Sequence, residues 1–150
     1  VAVLDAERDA QQADVAQPLP FHVTFDVVLV DAPCSGLGTL RRDPDIRWRR
    51  RETDLPALAA AQTQMLRHAA ASVSVGGRLI YSTCSSEPEE NDAVVDAFLA
   101  ATPAFAAVDA ATIDAIPAAV VDERGRLRTT PDQHGLECFF GAVFIRSVRL

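Results

Sequence analysis

Two short apolar runs, each closed by polar and loop-forming residues, limit how this chain can fold. Residues 25–30 have the sequence Phe-Asp-Val-Val-Leu-Val, and residues 78–82 have the sequence Arg-Leu-Ile-Tyr-Ser. The β-branched character of the first run predicts a buried parallel strand, and the second run predicts another short strand. A third, strongly apolar run at residues 139–145 predicts a final strand.

Helical patterns lie between and after the first two runs. Asp54 can cap a first helix that has Pro56 in its first turn and ends at Gly76-Gly77. A capping-box pattern at residues 86–89 is expected to start a second helix. The predicted buried stripes are Leu58, Ala61, Met65, Ala69 and Val73 in the first helix and Val94, Val95, Phe98 and Leu99 in the second. This alternation predicts an α/β fold in which right-handed crossovers place helices on the faces of a mostly parallel sheet.

The remaining segments carry weaker signals. Residues 1–4 are predicted as the end of a strand whose beginning is missing, and residues 7–20 are predicted as a loop. Residues 32–53 form a long irregular segment of the kind that usually serves a function. Residues 120–129 are predicted to form a hairpin arm that turns at Gly125, and the segment before them has no assignment.

Length and composition describe an ordinary globular chain. Its 150 residues fit one domain, with 49% hydrophobic and 23% charged residues. No apolar run approaches the ~20 residues that span a membrane, and the N-terminus lacks the basic-then-apolar pattern of a signal segment. Three widely spaced cysteines form no disulfide framework and favour a reducing, cytoplasmic location. Because the chain does not begin with Met, we expect it to belong to a longer product.

Basic charge is concentrated in one segment of an otherwise acidic chain. The net charge of -7 disfavours a polyanion partner, but all 14 basic residues are arginines. Six of them lie between positions 41 and 51, namely Arg41, Arg42, Arg47, Arg49, Arg50 and Arg51. Guanidinium groups match phosphate geometry, so this cluster is compatible with nucleic-acid binding. A solvated surface loop is the alternative.

The two strand ends carry the residues with chemical potential. Ligands of open α/β sheets bind beyond the carboxyl ends of the strands, and adjacent parallel strands would bring Asp31, Cys34 and Cys84 to one crevice there. The helix predicted after Cys84 would stabilise a thiolate with the positive end of its dipole. The alternative for each cysteine is a small buried hydrophobe, which is the commonest fate of a free Cys.

Four motifs occur in a specific order along this chain. They are Asp-Ala-Pro-Cys-Ser-Gly at 31–36, Arg-Arg-Asp-Pro-Asp-Ile-Arg-Trp at 41–48, Tyr-Ser-Thr-Cys-Ser at 81–85 and Pro-Glu-Glu-Asn at 88–91. Together they resemble the Sun/Fmu family of RNA 5-methylcytosine methyltransferases, whose bacterial members include the 16S ribosomal RNA enzyme. The resemblance, from about Asp5 to the C-terminus, implies methylation of carbon 5 of cytosine in RNA. It implies a Rossmann-like, S-adenosylmethionine-dependent methyltransferase sheet with its N-terminal strands missing, so that residues 1–150 form the C-terminal portion of one catalytic domain.

The resemblance also implies roles for individual residues. Cys84 would attack carbon 6 of the cytosine ring, and Cys34 would assist release of the product. Asp31 would contact the cytosine edge and lie, with Pro33, beside the cofactor S-adenosylmethionine. A carboxylate near ring nitrogen 3 could supply a proton as the thiolate adds. Asp5 would bind the adenine of the cofactor, and its alternative role is a simple loop cap.

RNA contacts are expected from Arg41, Arg42, Arg47 and Trp48, because an unpaired base is held by stacking and its backbone by Arg. The alternative for Trp48 is a lid over the core. No metal is predicted, since the cysteines and histidines contain no pair at zinc-ligand spacing. The histidines are interpreted as structural, namely His22, His68 and His134.

Two features depart from the family pattern. No glycine-rich turn for the methionine end of the cofactor precedes Phe25, and Gly36-Leu37-Gly38 does not lead into a helix. Residues 137–140 are Glu-Cys-Phe-Phe where the family has Asp-Gly-Phe-Phe, which puts a tight backbone at Cys138 in doubt. Two other hypotheses stay open. One is a non-catalytic RNA-binding module that kept the fold, and the other is methylation with Cys34 as nucleophile, as in DNA cytosine-5 methyltransferases.

Overall fold

A computed structural model describes the backbone of residues 2–5 and 8–12, and it describes residues 17, 19–20 and 23–147 with their side chains. The strands are β1 (Ala2–Asp5), β2 (Arg8–Gln12), β3 (Phe25–Asp31), β4 (Val73–Thr83), β5 (Phe105–Val108), β6 (Leu127–Thr129) and β7 (Phe139–Arg146). The helices are α1 (Ile46–Arg49), α2 (Leu55–Ala71), α3 (Asp92–Ala101) and α4 (Pro131–His134). From β3 to β5 the strands therefore alternate with helices.

The main sheet has the order β3-β4-β7-β5, and β6 also pairs with β7. Strands β3 and β4 are parallel, whereas β7 is antiparallel to both β4 and β5. Hence β3, β4 and β5 run in one direction, which confirms the mostly parallel α/β sheet predicted from the sequence. Asp31 lies opposite Ser82 in the register, so the carboxyl ends of β3 and β4 meet at one edge.

The hydrophobic core lies between the sheet and the helices α2 and α3, which contact each other. Phe98 of α3 is fully buried, and its ring centroid lies 5.0 Å from that of Phe144 in β7. Val94 and Val95 are buried as well, and Leu99 packs against the core, which confirms the stripe predicted for the second helix. Each such buried side chain stabilises the fold by roughly 1.5–3 kcal/mol.

Strand β3 is buried on one face only. Val30 is 6% exposed, but Val27 and Leu29 are 57% and 59% exposed. The prediction of a buried strand is therefore wrong for the face that carries Val27 and Leu29. The physical reason is that, in the described part of the chain, α2 and the core cover only the face that carries Val28 and Val30.

Helix α2 ends earlier than the pattern predicts, and its buried stripe is different. The helix stops at Ala71, and Val73 lies in β4 opposite Phe25. Gly76 and Gly77 also lie in β4, where they form an irregularity in the pairing with β3 instead of ending the helix. Pairing with β3 draws the β-branched Val73 into a strand. The buried residues of α2 are Leu55, Gln62, Leu66, Ala69 and Ala70, whereas Ala61 is exposed.

Two other predictions of local structure are wrong. Helix α3 begins at Asp92, whereas a cap at Ser86 would start a helix at residue 87. The Ser86 hydroxyl does not cap a helix, because it donates to Glu87 Oε1 at 2.8 Å. Residues 7–20, predicted as a loop, contain β2. This strand pairs antiparallel with β1 in a separate two-stranded sheet, so β1 is a strand but lies outside the main sheet.

The predicted hairpin arm is confirmed. Val121 bridges Leu127 across a turn at Gly125, whose φ of 71° favours glycine. Strand β6 then continues along β7. The unassigned segment before this hairpin contains β5, a short strand whose pairing with β7 completes the sheet.

Candidate active site

Asp31 is the last residue of β3, and Cys34 and Cys84 lie just beyond the carboxyl ends of β3 and β4. The Ser82 hydroxyl donates to Asp31 Oδ1 at 2.9 Å, and the Ala32 amide donates to the Ser82 carbonyl at 2.9 Å. The two loops therefore leave the sheet side by side, and Cys34 Sγ lies 3.3 Å from Cys84 Sγ. Both thiols are free and only partly buried. Neither is the fully buried, inert cysteine of the alternative interpretation.

The surroundings of Cys34 favour its protonated form. Burial, together with the hydrogen bond and charge of Cys84, raises the pKa of Cys34 to about 12. Hydrogen bonds from the backbone of Gly36 and Cys84 act in the opposite direction but are weaker. Cys34 is therefore a thiol at neutral pH and can donate to the Cys84 sulfur. The helix dipole predicted to act on Cys84 does not do so, because α3 begins only at Asp92.

A buried carboxylate behind the two cysteines was missed from the sequence. Glu90 is 0% exposed. Its Oε1 accepts from the Ser35 amide at 2.8 Å and from the Gln62 side chain at 2.9 Å. Its Oε2 accepts from the Ser85 hydroxyl at 2.6 Å. The sequence offered one signal, since Glu90 belongs to the motif at 88–91. A carboxylate that follows a strand end and has no basic partner needs other hydrogen-bond donors when it is buried.

Gly38 joins the two cysteine loops to the start of β7. Its amide donates to the Cys84 carbonyl at 3.0 Å, and its carbonyl accepts from the Cys138 amide at 3.1 Å. A Cβ at this position would lie 2.6 Å from the Cys84 oxygen and 2.5 Å from the Cys138 oxygen. The backbone at Cys138 is therefore tight, although this chain has Cys where the resemblance leads one to expect Gly. The close approach is made possible by Gly38 on the opposite side.

Helix α1 presents an aromatic ring to solvent. Trp48 is 79% exposed, and the Arg47 guanidinium carbon lies 5.3 Å from its ring centroid. The interpretation of Trp48 as a lid over the core is therefore wrong. An exposed indole beside a cation offers a surface on which a base can stack.

The arginine-rich segment is tied to the cysteine loops. Arg50 Nε donates to the Ser35 carbonyl at 3.2 Å, one residue after Cys34. The exposed Arg42 side chain pairs with the largely buried carboxylate of Glu137 at 3.0 Å. Arg41 is exposed as well. The cationic surface thus begins beside the thiols.

Asp31 and Pro33, the predicted cofactor contacts after β3, are both exposed. The Pro33 carbonyl accepts from the Gln62 side chain at 3.0 Å, which fixes the loop while its ring stays open to a ligand. An accessible carboxylate and an open loop at a strand end fit a nucleoside cofactor. Asp5 ends β1, and because its side chain lies outside the described residues, its role stays a prediction.

His134 has a structural role. Its Nδ1 accepts from the Thr130 amide at 3.0 Å, and its Nε2 lies 2.9 Å from the Ala119 carbonyl oxygen. His22 lies outside the described residues. Within the described ranges, no three His, Cys, Asp or Glu side chains are grouped so that they could hold a metal ion. No helix in the described part of the chain combines the length and apolarity needed to cross a membrane.

The arrangement of two thiols at the ends of parallel strands can be compared with known families. A family model described as 16S rRNA methyltransferase RsmB/F matches residues 3–145. The chain belongs to this family. The resemblance drawn from the four sequence motifs is thereby confirmed.

Curated members of the RsmB/F family share the matched region. The ribosomal RNA small subunit methyltransferase B of Salmonella arizonae is 47% identical over 110 residues, which cover 73% of this chain and 24% of that protein. The protein of the same name from Shewanella oneidensis is 39% identical over 123 residues, which cover 82% of this chain and 27% of that protein. The chain thus spans about a quarter of the length of these relatives.

Solved structures confirm the Rossmann-like methyltransferase fold. The crystal structure of NSun6 from Pyrococcus horikoshii with SFG has a TM-score of 0.76 and 25% sequence identity, and the match covers 93% of this chain and 34% of that one. A methyltransferase homologue from the same organism has a TM-score of 0.63 and 30% identity, with 84% and 40% covered.

Proposed function

We propose that residues 1–150 are the C-terminal portion of one methyltransferase catalytic domain that methylates carbon 5 of cytosine in RNA. The observation that carries this proposal is the 3.3 Å contact between Cys34 Sγ and Cys84 Sγ at the ends of two parallel strands. In such a reaction one sulfur must attack the cytosine ring and later leave it, and a second thiol in contact with that sulfur can assist its departure. The names of the relatives favour small-subunit ribosomal RNA as substrate. The free cysteines suit a reducing compartment such as the cytoplasm.

The reaction needs a nucleophile because carbon 5 of cytosine is itself unreactive. We assign the attack on carbon 6 to the Cys84 thiolate, whose addition makes carbon 5 electron-rich. Asp31 is exposed beside it, and a carboxyl group there could protonate ring nitrogen 3 as the sulfur adds. After methyl transfer, water or a nearby base removes the proton from carbon 5, and the electrons of that bond form the double bond between carbons 5 and 6. The bond between carbon 6 and sulfur breaks in the same step, so that Cys84 leaves as a thiolate, and the proton on ring nitrogen 3 returns to Asp31.

Cys34 suits the leaving step. Because its pKa is raised to about 12, it stays protonated and can donate its S–H to the Cys84 sulfur. An S–H donated across this 3.3 Å contact offsets the negative charge on the Cys84 sulfur as it leaves the product. The alternative in which Cys34 is the nucleophile is disfavoured by the Thr-Cys motif at 83–84, because the resemblance gives the attacking role to the cysteine of that motif.

The methyl group would come from S-adenosylmethionine. Asp31 and Pro33 would contact it at the open end of β3, and Asp5 would bind its adenine. The chain shows no glycine-rich turn before Phe25, and about three quarters of each relative lies outside the match. We therefore infer that an N-terminal part completes the cofactor site. The related NSun6 structure was solved with SFG, an analogue of S-adenosylmethionine.

RNA would approach from the side of α1. The exposed Trp48 ring can stack on an unpaired base, and Arg41, Arg42 and Arg47 can contact its phosphates. The target cytosine must leave any helix to reach the two thiols. Because Arg50 bonds to the loop that follows Cys34, RNA bound here lies next to the reacting sulfurs.

A covalent-trapping gel tests this function. The complete gene product is incubated with S-adenosylmethionine and RNA that contains 5-fluorocytosine, whose fluorine blocks the final elimination. We expect a shifted band that is lost in Cys84→Ala and kept in the matched control Cys138→Ala, which changes the third free cysteine. A band lost in Cys34→Ala but kept in Cys84→Ala would reverse the two roles. RNA binding without any band would instead favour the non-catalytic RNA-binding module.

A further inference from the structure

Glu90 is placed to hold the two cysteine loops against each other. Its carboxylate is fully buried and accepts hydrogen bonds from three separate parts of the chain. One donor, the Ser35 amide, belongs to the residue after Cys34. Another, the Ser85 hydroxyl, belongs to the residue after Cys84. A single buried group therefore bonds to the immediate neighbour of each cysteine.

The surroundings of Glu90 fix its own position. The Tyr81 hydroxyl donates to the Glu90 carbonyl at 2.6 Å, which ties its backbone to β4. The Gln62 side chain of α2 donates both to Glu90 Oε1 and to the Pro33 carbonyl. The strand therefore holds the backbone of Glu90 and the helix holds its carboxylate, and both elements belong to the hydrophobic core. The 2.6 Å bond from Ser85 has the length of a charge-assisted hydrogen bond.

Asn91 braces the Cys84 loop from the same side. Its Nδ2 donates to the Ser85 carbonyl at 2.9 Å, and its Oδ1 accepts from the Thr83 hydroxyl at 2.6 Å. The residues on both sides of Cys84 are thus bonded to one buried amide. Glu90 then connects this braced loop to the other one, together with a 3.2 Å contact between the Ser35 and Ser85 hydroxyls.

We propose that Glu90 is a positioning residue that keeps the Cys34 and Cys84 sulfurs in contact. It acts through Ser35 and Ser85, and its importance for methylation rests on the proposed function. Misplacement of a reacting group by about 1 Å can lower a rate roughly 10²-fold. Loosening this bridge therefore slows formation of the Cys84 adduct. It leaves RNA affinity nearly unchanged, because that affinity depends on the exposed arginine-rich segment.

The test compares Glu90→Gln and Ser85→Ala with the matched control Glu89→Gln, all in the complete gene product. Glu89 is the exposed neighbour of Glu90 and receives the same chemical change. In a glutathione redox buffer, one glutathione disulfide oxidises Cys34 and Cys84 to a disulfide and leaves two glutathione thiols. Alkylation followed by peptide mass spectrometry then measures the fraction of protein that carries this disulfide. That fraction gives the effective concentration of one thiol relative to the other, and it can be measured without methylation.

We expect Glu90→Gln and Ser85→Ala to lower this effective concentration about 10- to 100-fold and to lower kcat by a similar factor. The KM for RNA should change less than about threefold, and Glu89→Gln should match the wild type. The proposal is wrong if Glu90→Gln and Ser85→Ala both keep the wild-type effective concentration and the wild-type kcat. It is also wrong if kcat and RNA affinity fall equally, which indicates general damage to the fold.

The two proposals fail in different ways. If the wild type shows no methylation while the effective concentration falls in Glu90→Gln, the proposed function is wrong and the positioning role stands. If methylation is present and Glu90→Gln leaves both readouts unchanged, only the positioning role is wrong. Should Glu90→Gln fail to fold, Ser85→Ala decides the matter, because it removes a single hydroxyl and leaves the carboxylate in place.

Discussion

Gly38→Ala should damage both the fold and the thiol pair. The added Cβ would lie 2.5 Å from the Cys138 oxygen and 2.6 Å from the Cys84 oxygen, so these carbonyls must move by about 0.9 and 0.8 Å to reach the 3.4 Å of an ordinary contact. That movement weakens two hydrogen bonds, each worth about 0.5–1.5 kcal/mol. Overpacking adds about 1–3 kcal/mol. We therefore expect the free energy of unfolding to fall by about 2–6 kcal/mol.

The assay is urea unfolding of the complete gene product followed by far-ultraviolet circular dichroism. Gly141→Ala is the matched control, because its Cβ would lie 3.5 Å from Leu127 Cβ and would make only an ordinary contact. It should change stability by less than about 1 kcal/mol. Because the Cys84 carbonyl moves, the trapping rate of Gly38→Ala should also fall by roughly 10²-fold. If Gly38→Ala proves as stable and as active as Gly141→Ala, the close approach described at Gly38 is wrong.

Three further outcomes are expected. Trp48→Ala should weaken RNA binding by about 1–3 kcal/mol, measured by filter binding, with no change in Tm because the ring is 79% exposed. The raised pKa of Cys34 means that its contribution to stability is present below pH 9 and is lost as the pH rises towards about 12. Urea unfolding between pH 8 and 10.5 should therefore show a steeper loss in the wild type than in Cys34→Ser, and equal slopes would contradict this. Arg126→Ala should cost roughly 1.5–3 kcal/mol, because the buried Arg126 donates to Asp96 at 2.7 Å while water screens the half-exposed Asp96 carboxylate. Although burial acts to raise the pKa of Asp96, hydrogen bonds from Arg126 and Arg124 outweigh it, so an NMR titration of Arg126→Ala should show a higher Asp96 pKa.

Much of the fold could be predicted from local patterns. The strand cores of β3, β4 and β7 are apolar runs bounded by loop-formers, and their type does not depend on distant parts of the chain. Because two of these strands are parallel neighbours, the meeting of Cys34 and Cys84 followed from their positions alone. The exact end of α2 did not follow, since Val73 joins a strand only when Phe25 is beside it.

What escaped prediction depends on contacts between distant residues. The segment of β5, Phe-Ala-Ala-Val, has no strong strand pattern and is a strand through its pairing with β7. The capping-box pattern at residues 86–89 predicted a helix start, but the turn before Asp92 instead directs Glu90 inward to donors from Ser35 and Gln62. These donors lie 55 and 28 positions away along the chain, so no local pattern contains them.

The exposure of Trp48 has a spectroscopic consequence. It is the single tryptophan of the chain, and the single tyrosine, Tyr81, is fully buried. An indole that is already surrounded by water emits at long wavelength in the folded state, and its emission maximum shifts little on unfolding. The same indole is quenched when a base stacks on it. Tryptophan fluorescence from these 150 residues therefore reports the arrival of RNA and is nearly silent to unfolding, so one intrinsic probe separates binding from stability without a label.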